Sequence, residues 1–140
     1  MDYGKREYWD ERYRQQEGTT FDWLESYESL REIILTTLEL YYPTEELESP
    51  QIIERIKEEA RKIRVLNLGC GNSPLPEEMH DQDNFCQIVS IDCSAVVIAQ
   101  MKKRNDVERP DLEFQVMDCR RLDIADESID FVIDKSTLDA

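Results

Sequence analysis

Two glycines and three acids in the second half of this chain are the residues whose types and spacing point to chemistry. In Arg64-Val-Leu-Asn-Leu-Gly-Cys-Gly-Asn72, residues 65–68 read as a buried strand running straight into Gly69-Cys70-Gly71. Glycines there let the backbone turn sharply and approach a ligand with no side chain in the way. Ser73 then caps a helix, with Pro74 at its first position and Glu77 and Glu78 in its first turn. Strand, glycine loop and helix in succession make the usual nucleotide-type cradle of an α/β sheet. Pro74 stands where the third glycine of a dinucleotide fingerprint would be, so helix–strand packing of that kind is not encoded.

The acids discriminate further. Ile88-Val-Ser-Ile-Asp92 reads as a second strand ending in an acid 23 residues after Gly69, Leu112-Glu-Phe-Gln-Val-Met-Asp118 as a third, and Ile129-Asp-Phe-Val-Ile-Asp134 as a fourth. Ligands of an open parallel sheet sit at the carboxyl ends of its strands, so the glycine loop and these acids line one crevice. An acid on strand two can accept from both ribose hydroxyls, and one on strand three from an adenine amino group. That arrangement suits S-adenosylmethionine better than a dinucleotide. The competing local role for Asp92 is capping the next helix, shared with Ser94. Asp118 is otherwise a loop acid facing water.

These residues must be positioned by a chain of 140 residues, enough for one domain or a large part of one. Seventeen Lys and Arg against 32 Asp and Glu give a net charge of −15. This balance argues against a nucleic-acid partner and favours a cationic ligand or a basic protein surface. No run approaches the ~20 apolar residues of a membrane span, and the start has no signal-peptide pattern. Cys70, Cys86, Cys93 and Cys119 show no C-x-x-C spacing, so the reading is reduced thiols in a cytoplasmic protein, with no metal site. His80, the single histidine, falls in a polar stretch and reads as a surface residue, not as a base.

Along the chain, an aromatic and charged block (Tyr3, Tyr8, Trp9, Tyr13, Phe21, Trp23) precedes an amphipathic helix with Leu30, Ile33, Ile34, Thr37, Leu38 and Tyr41 on one face and Pro43 ending it. Ser49-Pro50 opens a second helix with Ile52, Ile53, Ile56, Ala60 and Ile63 apolar. The pattern then alternates: strand 64–68, helix 74–80, strand 87–91, helix 95–104, strand 112–117 and strand 129–133, with a short or absent helix in the last crossover. The fold class is α/β, a Rossmann-like sheet in order 3-2-1-4. Residues 1–63 form an N-terminal aromatic lid with helices. Residues 64–140 form the N-terminal half of a cofactor-binding domain.

The segments Leu66-Asn-Leu-Gly-Cys-Gly-Asn-Ser73, Val89-Ser-Ile-Asp-Cys-Ser-Ala-Val-Val-Ile-Ala-Gln-Met101 and Asp134-Lys-Ser-Thr-Leu-Asp-Ala140 resemble the class I S-adenosylmethionine-dependent methyltransferases. With Glu7-Tyr-Trp-Asp-Glu-Arg-Tyr13 and Phe21-Asp-Trp23, they are most similar to the subgroup that methylates elongation factor 1-alpha on lysine. The resemblance spares only about residues 43–62, where the second helix departs from the family pattern and reads as an insertion on the outer face. It implies cofactor contacts from Trp9, Tyr13, Trp23, Gly69, Gly71, Asp92, Cys93, Asp118, Cys119 and Lys135. Trp9, Tyr13 and Trp23 would fold over the methionine end, where aromatic faces suit a sulfonium; read from composition alone, such a cluster is core. Lys135 would touch the cofactor through its backbone, although Ser136 stands where relatives often have glycine.

The resemblance also implies strands five to seven, for which there is no sequence after Ala140. The expectation is therefore a shortened form of a longer chain, with little activity alone and self-association through the strand-four edge. Three functions compete: a protein-lysine methyltransferase, an inactive module that binds the cofactor or a partner, and a small-molecule methyltransferase.

Overall fold

The computed structural model describes residues 5–15 and 26–134. Trp23, Phe21, Lys135 and Ser136, all named above, lie outside the described residues. In chain order the elements are α1 (Arg6–Gln15), α2 (Tyr27–Thr37), α3 (Pro50–Ala60), β1 (Arg64–Leu68), α4 (Leu75–Asp83), β2 (Gln87–Asp92), α5 (Ala95–Asn105), β3 (Glu113–Val116) and β4 (Phe131–Asp134). The four strands pair in parallel in the order β3-β2-β1-β4. The expected order and class are those observed. From β1 onward expected and observed boundaries agree to within three residues, whereas α2 ends at Thr37, well short of the expected stop at Pro43.

Strand register follows from alternation. Successive side chains point to opposite faces of a sheet. Val65, Ile88, Phe114 and Ile133 share one face and join a large core with Ile34 and Leu35 of α2, Ile56 and Ala60 of α3, Met79 of α4 and Val97, Ile98 and Met101 of α5. Leu66, Leu68 and Ile91 point the other way into a small cluster, covered in part by Met117, Cys119, Ile124 and Ile129 of the β3–β4 connection. That connection contains no helix. Asp130 fixes where β4 starts on β1: its N–H donates to the Arg64 carbonyl at 2.8 Å, and its carboxylate accepts from Arg64 N at 2.9 Å and from the guanidinium at 3.0 Å.

The first helix pair corrects two expectations. Ile33 was placed on the inward face of α2 but is 63 % exposed. The inward face is set by Tyr27, Ile34 and Leu35, with Leu30 and Leu38 half-buried. The Tyr27 hydroxyl donates to Asp83 at 2.5 Å and Arg31 grips the same carboxylate through two bonds of 2.8 Å, so α2 is rotated to bring both to the end of α4. Nor does Pro43 end the helix. Glu39 adopts a left-handed conformation (φ +58°), with Glu39 N donating to the Thr36 carbonyl and Leu40 N to the Leu35 carbonyl. This is the reversal usually made by glycine, so no residue type announced it.

The 43–62 segment is also more integral than an outer-face insertion. Ile56 and Ala60 are fully buried in the main core. Arg55 ties the preceding turn to α3, reaching the Leu40 carbonyl at 2.9 Å and Glu45 at 2.5 and 2.6 Å.

Candidate functional site

At the carboxyl end of β1 the chain turns through two left-handed glycines, Gly69 (φ +61°) and Gly71 (φ +53°). A side chain at position 71 would meet a second obstacle. Its Cβ would stand 2.6 Å from the Tyr13 hydroxyl, too close for any contact. The loop is anchored to the neighbouring strand by Cys70 N donating to the Ile91 carbonyl at 2.9 Å. The Ser73 hydroxyl accepts from Leu75 N at 3.2 Å, but the N-cap of α4 is Pro74 and not Ser73, and the helix begins at Leu75, one residue later than expected. Arg104 of α5 braces the loop, donating to the Asn72 carbonyl at 3.2 Å and to Glu77 at 2.7 Å.

Asp92 ends β2 and is 7 % exposed. Its Oδ2 accepts from Gly71 N at 3.0 Å and its Oδ1 from Ser94 N at 2.9 Å. The expected choice between ribose acid and helix cap thus takes a particular form. Ser94 is the N-cap of α5, its hydroxyl accepting from Val97 N at 3.3 Å, while Asp92 ties that cap to the glycine loop. A carboxylate has about four acceptor positions, so the two backbone donors and the Cys93 thiol, which also hydrogen-bonds it, leave capacity for a ligand hydroxyl. Burial pushes the Asp92 carboxyl up, the two amides oppose this, and Asp10 adds to the rise. A cationic or hydroxyl-rich ligand relieves such a group.

α1 lies over this loop. Tyr13 is buried, and Trp9 stacks on it at 5.9 Å between centroids, with Arg12 5.6 Å from the Trp9 ring and Tyr8 edge-on to it. Burial and the nearby Asp92 charge raise the Tyr13 phenol far above its ordinary range, so it stays neutral. Burial, then Asp92, pushes the Cys93 thiol up to about 11, and burial, then Asp92, also raises the Cys70 thiol well above its ordinary range. Neither thiol is a nucleophile at neutral pH.

Asp118 follows β3 by two residues, and its carboxylate is engaged by Arg120: the backbone N at 2.8 Å, Nε at 3.0 Å and a terminal nitrogen at 2.8 Å. The Arg120 side chain, then its backbone, lowers the Asp118 carboxyl to about 2. Cys119 is half-buried beside it. His80 is bonded to Asp81 and Asp111 on the outer side of α4, in keeping with a surface role. Among the described residues no group of His, Cys, Asp and Glu has the arrangement of a metal site, and no helix is long and apolar enough to cross a membrane.

Tyr13, Gly71, Asp92 and Cys93 therefore meet in one place, with Trp9 stacked behind Tyr13 and Asp118 close enough to Cys93 to influence its charge. A concavity of about 420 Å³ lies elsewhere, on the opposite sheet face, lined by Arg64, Val89, Glu113, Gln115, Ile124 and Ile129. None of the anticipated ligand-binding residues lines it. Two participants escaped the sequence reading: Arg104, which braces the loop, and Asp10, whose carboxylate accepts a short hydrogen bond from the Ser94 hydroxyl. The signal for Asp10 was spacing: residues 10 and 13 lie three apart on a helix and share a face.

Residues 65–139 match a family model described as "Methyltransferase domain". The chain is 36 % identical over 139 residues to the "eEF1A lysine and N-terminal methyltransferase" of Mus musculus and 34 % identical to that of Homo sapiens, covering 99 % of this chain and 17 % of each relative. It is 32 % identical to the mouse "EEF1A lysine methyltransferase 4", covering 46 % of that protein. The chain thus spans under half the length of each of these relatives. The span matched to these relatives includes residues 43–62.

Proposed function

This chain belongs to the methyltransferase domain family, and on that premise we propose that it carries the S-adenosylmethionine-binding half of a protein-lysine methyltransferase acting on elongation factor 1-alpha or a similar basic protein. The observation that carries the reading is the buried Asp92 carboxylate, fastened to the amides of Gly71 and Ser94 with acceptor capacity to spare. Asp92 takes the ribose hydroxyls. Gly69 and Gly71 pass the methionine part by backbone alone, and Asp118 with the Cys119 amide faces the adenine. For that, Asp118 must share its carboxylate with Arg120 or release it. Trp9 and Tyr13 close the methionine end.

When bound, S-adenosylmethionine supplies an electrophilic methyl on a sulfonium. The chain's residues bind, orient and exclude water. Neutral Tyr13 and Trp9 offer aromatic faces suited to a cation, and the neutral thiols of Cys70 and Cys93 do not compete as methyl acceptors. The net charge of −15 attracts both a cationic cofactor and a basic protein substrate.

Titration calorimetry tests this. The chain should bind S-adenosylmethionine and its demethylated product in preference to NAD. Asp92→Ala should weaken that binding by about 1.5–3 kcal/mol, the worth of hydrogen bonds to a charged group. Undiminished affinity in a folded Asp92→Ala protein removes the assignment.

One observation favours the second reading, a module that binds its cofactor or a partner without turnover. Val132 of β4 is 51 % exposed on the second sheet face, and Val89, across β1 from it on the same face, is only half-buried. A methyl-transfer assay on elongation factor 1-alpha, run on protein already shown to bind the cofactor, separates the two.

A further inference from the structure

The N-terminal helix is held to the sheet domain at the same serine that caps α5. Ser94 is fully buried. Its hydroxyl has one proton and two acceptor positions. It accepts from Val97 N at 3.3 Å, so its proton goes to the Asp10 carboxylate, 84 residues away in sequence. Its backbone N–H goes to Asp92 at 2.9 Å. One residue therefore joins the lid acid Asp10, the cap of α5 and the Asp92 carboxylate. A second tether runs from Gln100 Nε2 to the Tyr13 carbonyl at 3.0 Å. Between these anchors α1 presents Trp9 and Tyr13, and the Tyr13 hydroxyl rests on Gly71.

Asp10 sits at the amino end of α5, where the helix dipole favours a negative charge. It is also close enough to Asp92 to raise that carboxyl. Without a bond to Ser94, the like charge of Asp92 would push Asp10, and α1 with it, away from the loop. The Ser94 hydroxyl turns this repulsion into a defined contact. α1 is otherwise a ten-residue helix with mostly polar side chains and a single buried one, Tyr13. A helix so short is marginal without tertiary anchors, so the removal of one anchor should be felt along its whole length.

We infer that Asp10 is a positioning residue for the cofactor site: through the Ser94 hydroxyl it latches α1 over the glycine loop, and this latch sets how long the cofactor stays bound. The inference rests on the proposed cofactor reading. Asp10 itself touches neither cofactor nor substrate; it acts through Ser94 and the placement of Trp9 and Tyr13.

Two measurements on the full chain test it, with Asp10→Ala and Asp10→Asn compared with the parent. Hydrogen exchange in the ligand-free protein reads the latch directly. In Asp10→Ala the amides of residues 8–15 should exchange about tenfold faster, with α5 and the strands unchanged. In Asp10→Asn, which keeps an oxygen to accept from Ser94, they should exchange nearly as in the parent. Stopped-flow tryptophan fluorescence then reads dissociation of S-adenosylmethionine. It should be about tenfold faster from Asp10→Ala, the loss of one hydrogen bond, with Asp10→Asn, which can still accept from Ser94, restoring most of the residence time. If the parent binds and Asp10→Ala releases the cofactor at the parental rate, the latch inference is wrong and the cofactor reading stands. If the parent does not bind at all, both fall. Equal loss in Ala and Asn variants would show that Asp10 acts by its charge alone, which also overturns the latch.

Discussion

The two faces of the sheet are built from the same strands and have different fates. On the first, Val65, Ile88, Phe114 and Ile133 meet α2 to α5 in a continuous core that also takes in Tyr13. On the second, among the described residues, Leu66, Leu68 and Ile91 are buried with only the irregular segment between β3 and β4 for cover. The strands alternate strictly between these faces, and β1, central in the sheet, is apolar on both. The difference lies in what covers each face, not in how the strands are written. Every crossover helix before β3 falls on the first face, and the candidate site grows from that same layer. Asp92, Ser94, the glycine loop and α1 all gain their placement from α4 and α5. The second face carries a concavity and half-buried apolar residues, and among the described residues Cys119 is the one anticipated site group that packs there.

If the first face is where stability resides, the largest loss should come from the most deeply buried charge among the described residues. Asp83 is wholly buried and holds Tyr27 and Arg31 together. Asp83→Ala strands the guanidinium and should cost about 3–5 kcal/mol in urea unfolding, the usual result of removing one partner of a buried pair. Next comes a comparison across the sheet on adjacent residues. Ile88 faces the first layer and is 1 % exposed, and Val89 faces the second and is half-buried. Ile88→Ala should cost about 2–5 kcal/mol by transfer and cavity terms, while Val89→Ala should cost less than about 1 kcal/mol. Equal costs would mean that the second face is as well packed as the first.

A smaller effect is expected at the outer strand. Among the described residues β4 pairs only with β1, and an open apolar edge invites pairing between copies. We propose that the chain self-associates there. Val132→Lys should change unfolding free energy by no more than about 0.5 kcal/mol, yet lower the mean mass seen by light scattering. A parent that is monodisperse and monomeric at high concentration would show that the edge is protected. The smallest effect is the pH dependence of the Asp130–Arg64 clasp at the foot of β4. The guanidinium, then the Arg64 amide, holds the Asp130 carboxyl at about 2, below its ordinary 3.8. Its stabilisation is therefore present above about pH 4 and lost as pH falls through about 2. The stability gap between parent and Asp130→Asn, followed by acid titration, should close over that interval. A gap that is constant with pH would mean that the clasp acts through the backbone bond alone.

Much of this architecture was legible because it is written in local signals. Residues 65–68 read as a short buried strand that runs into Gly69-Cys70-Gly71, Ser94 stands before an apolar-periodic run, and Asp92 ends a strand. Strand order, the glycine loop and the caps all follow from patterns a few residues long. Less legible were features set by partners distant in the chain. The rotation of α2 that exposes Ile33 is governed by Asp83, 52 residues beyond Arg31. The left-handed Glu39 carries no glycine to mark it. The role of Asp10 appears only when Ser94 is brought beside it.

From sequence alone came the α/β class, the parallel order, the acids at the strand ends and the resemblance that names a chemistry. These rest on periodicity, turn chemistry and short motifs, all of which are local. Tertiary structure decided which face of each helix turns inward, that Tyr13 lies on Gly71, and that Asp92 is shared between the amides of Gly71 and Ser94. Those are matters of packing and of satisfying buried polar groups. Their energies depend on which residues meet in space, and a linear pattern does not record that.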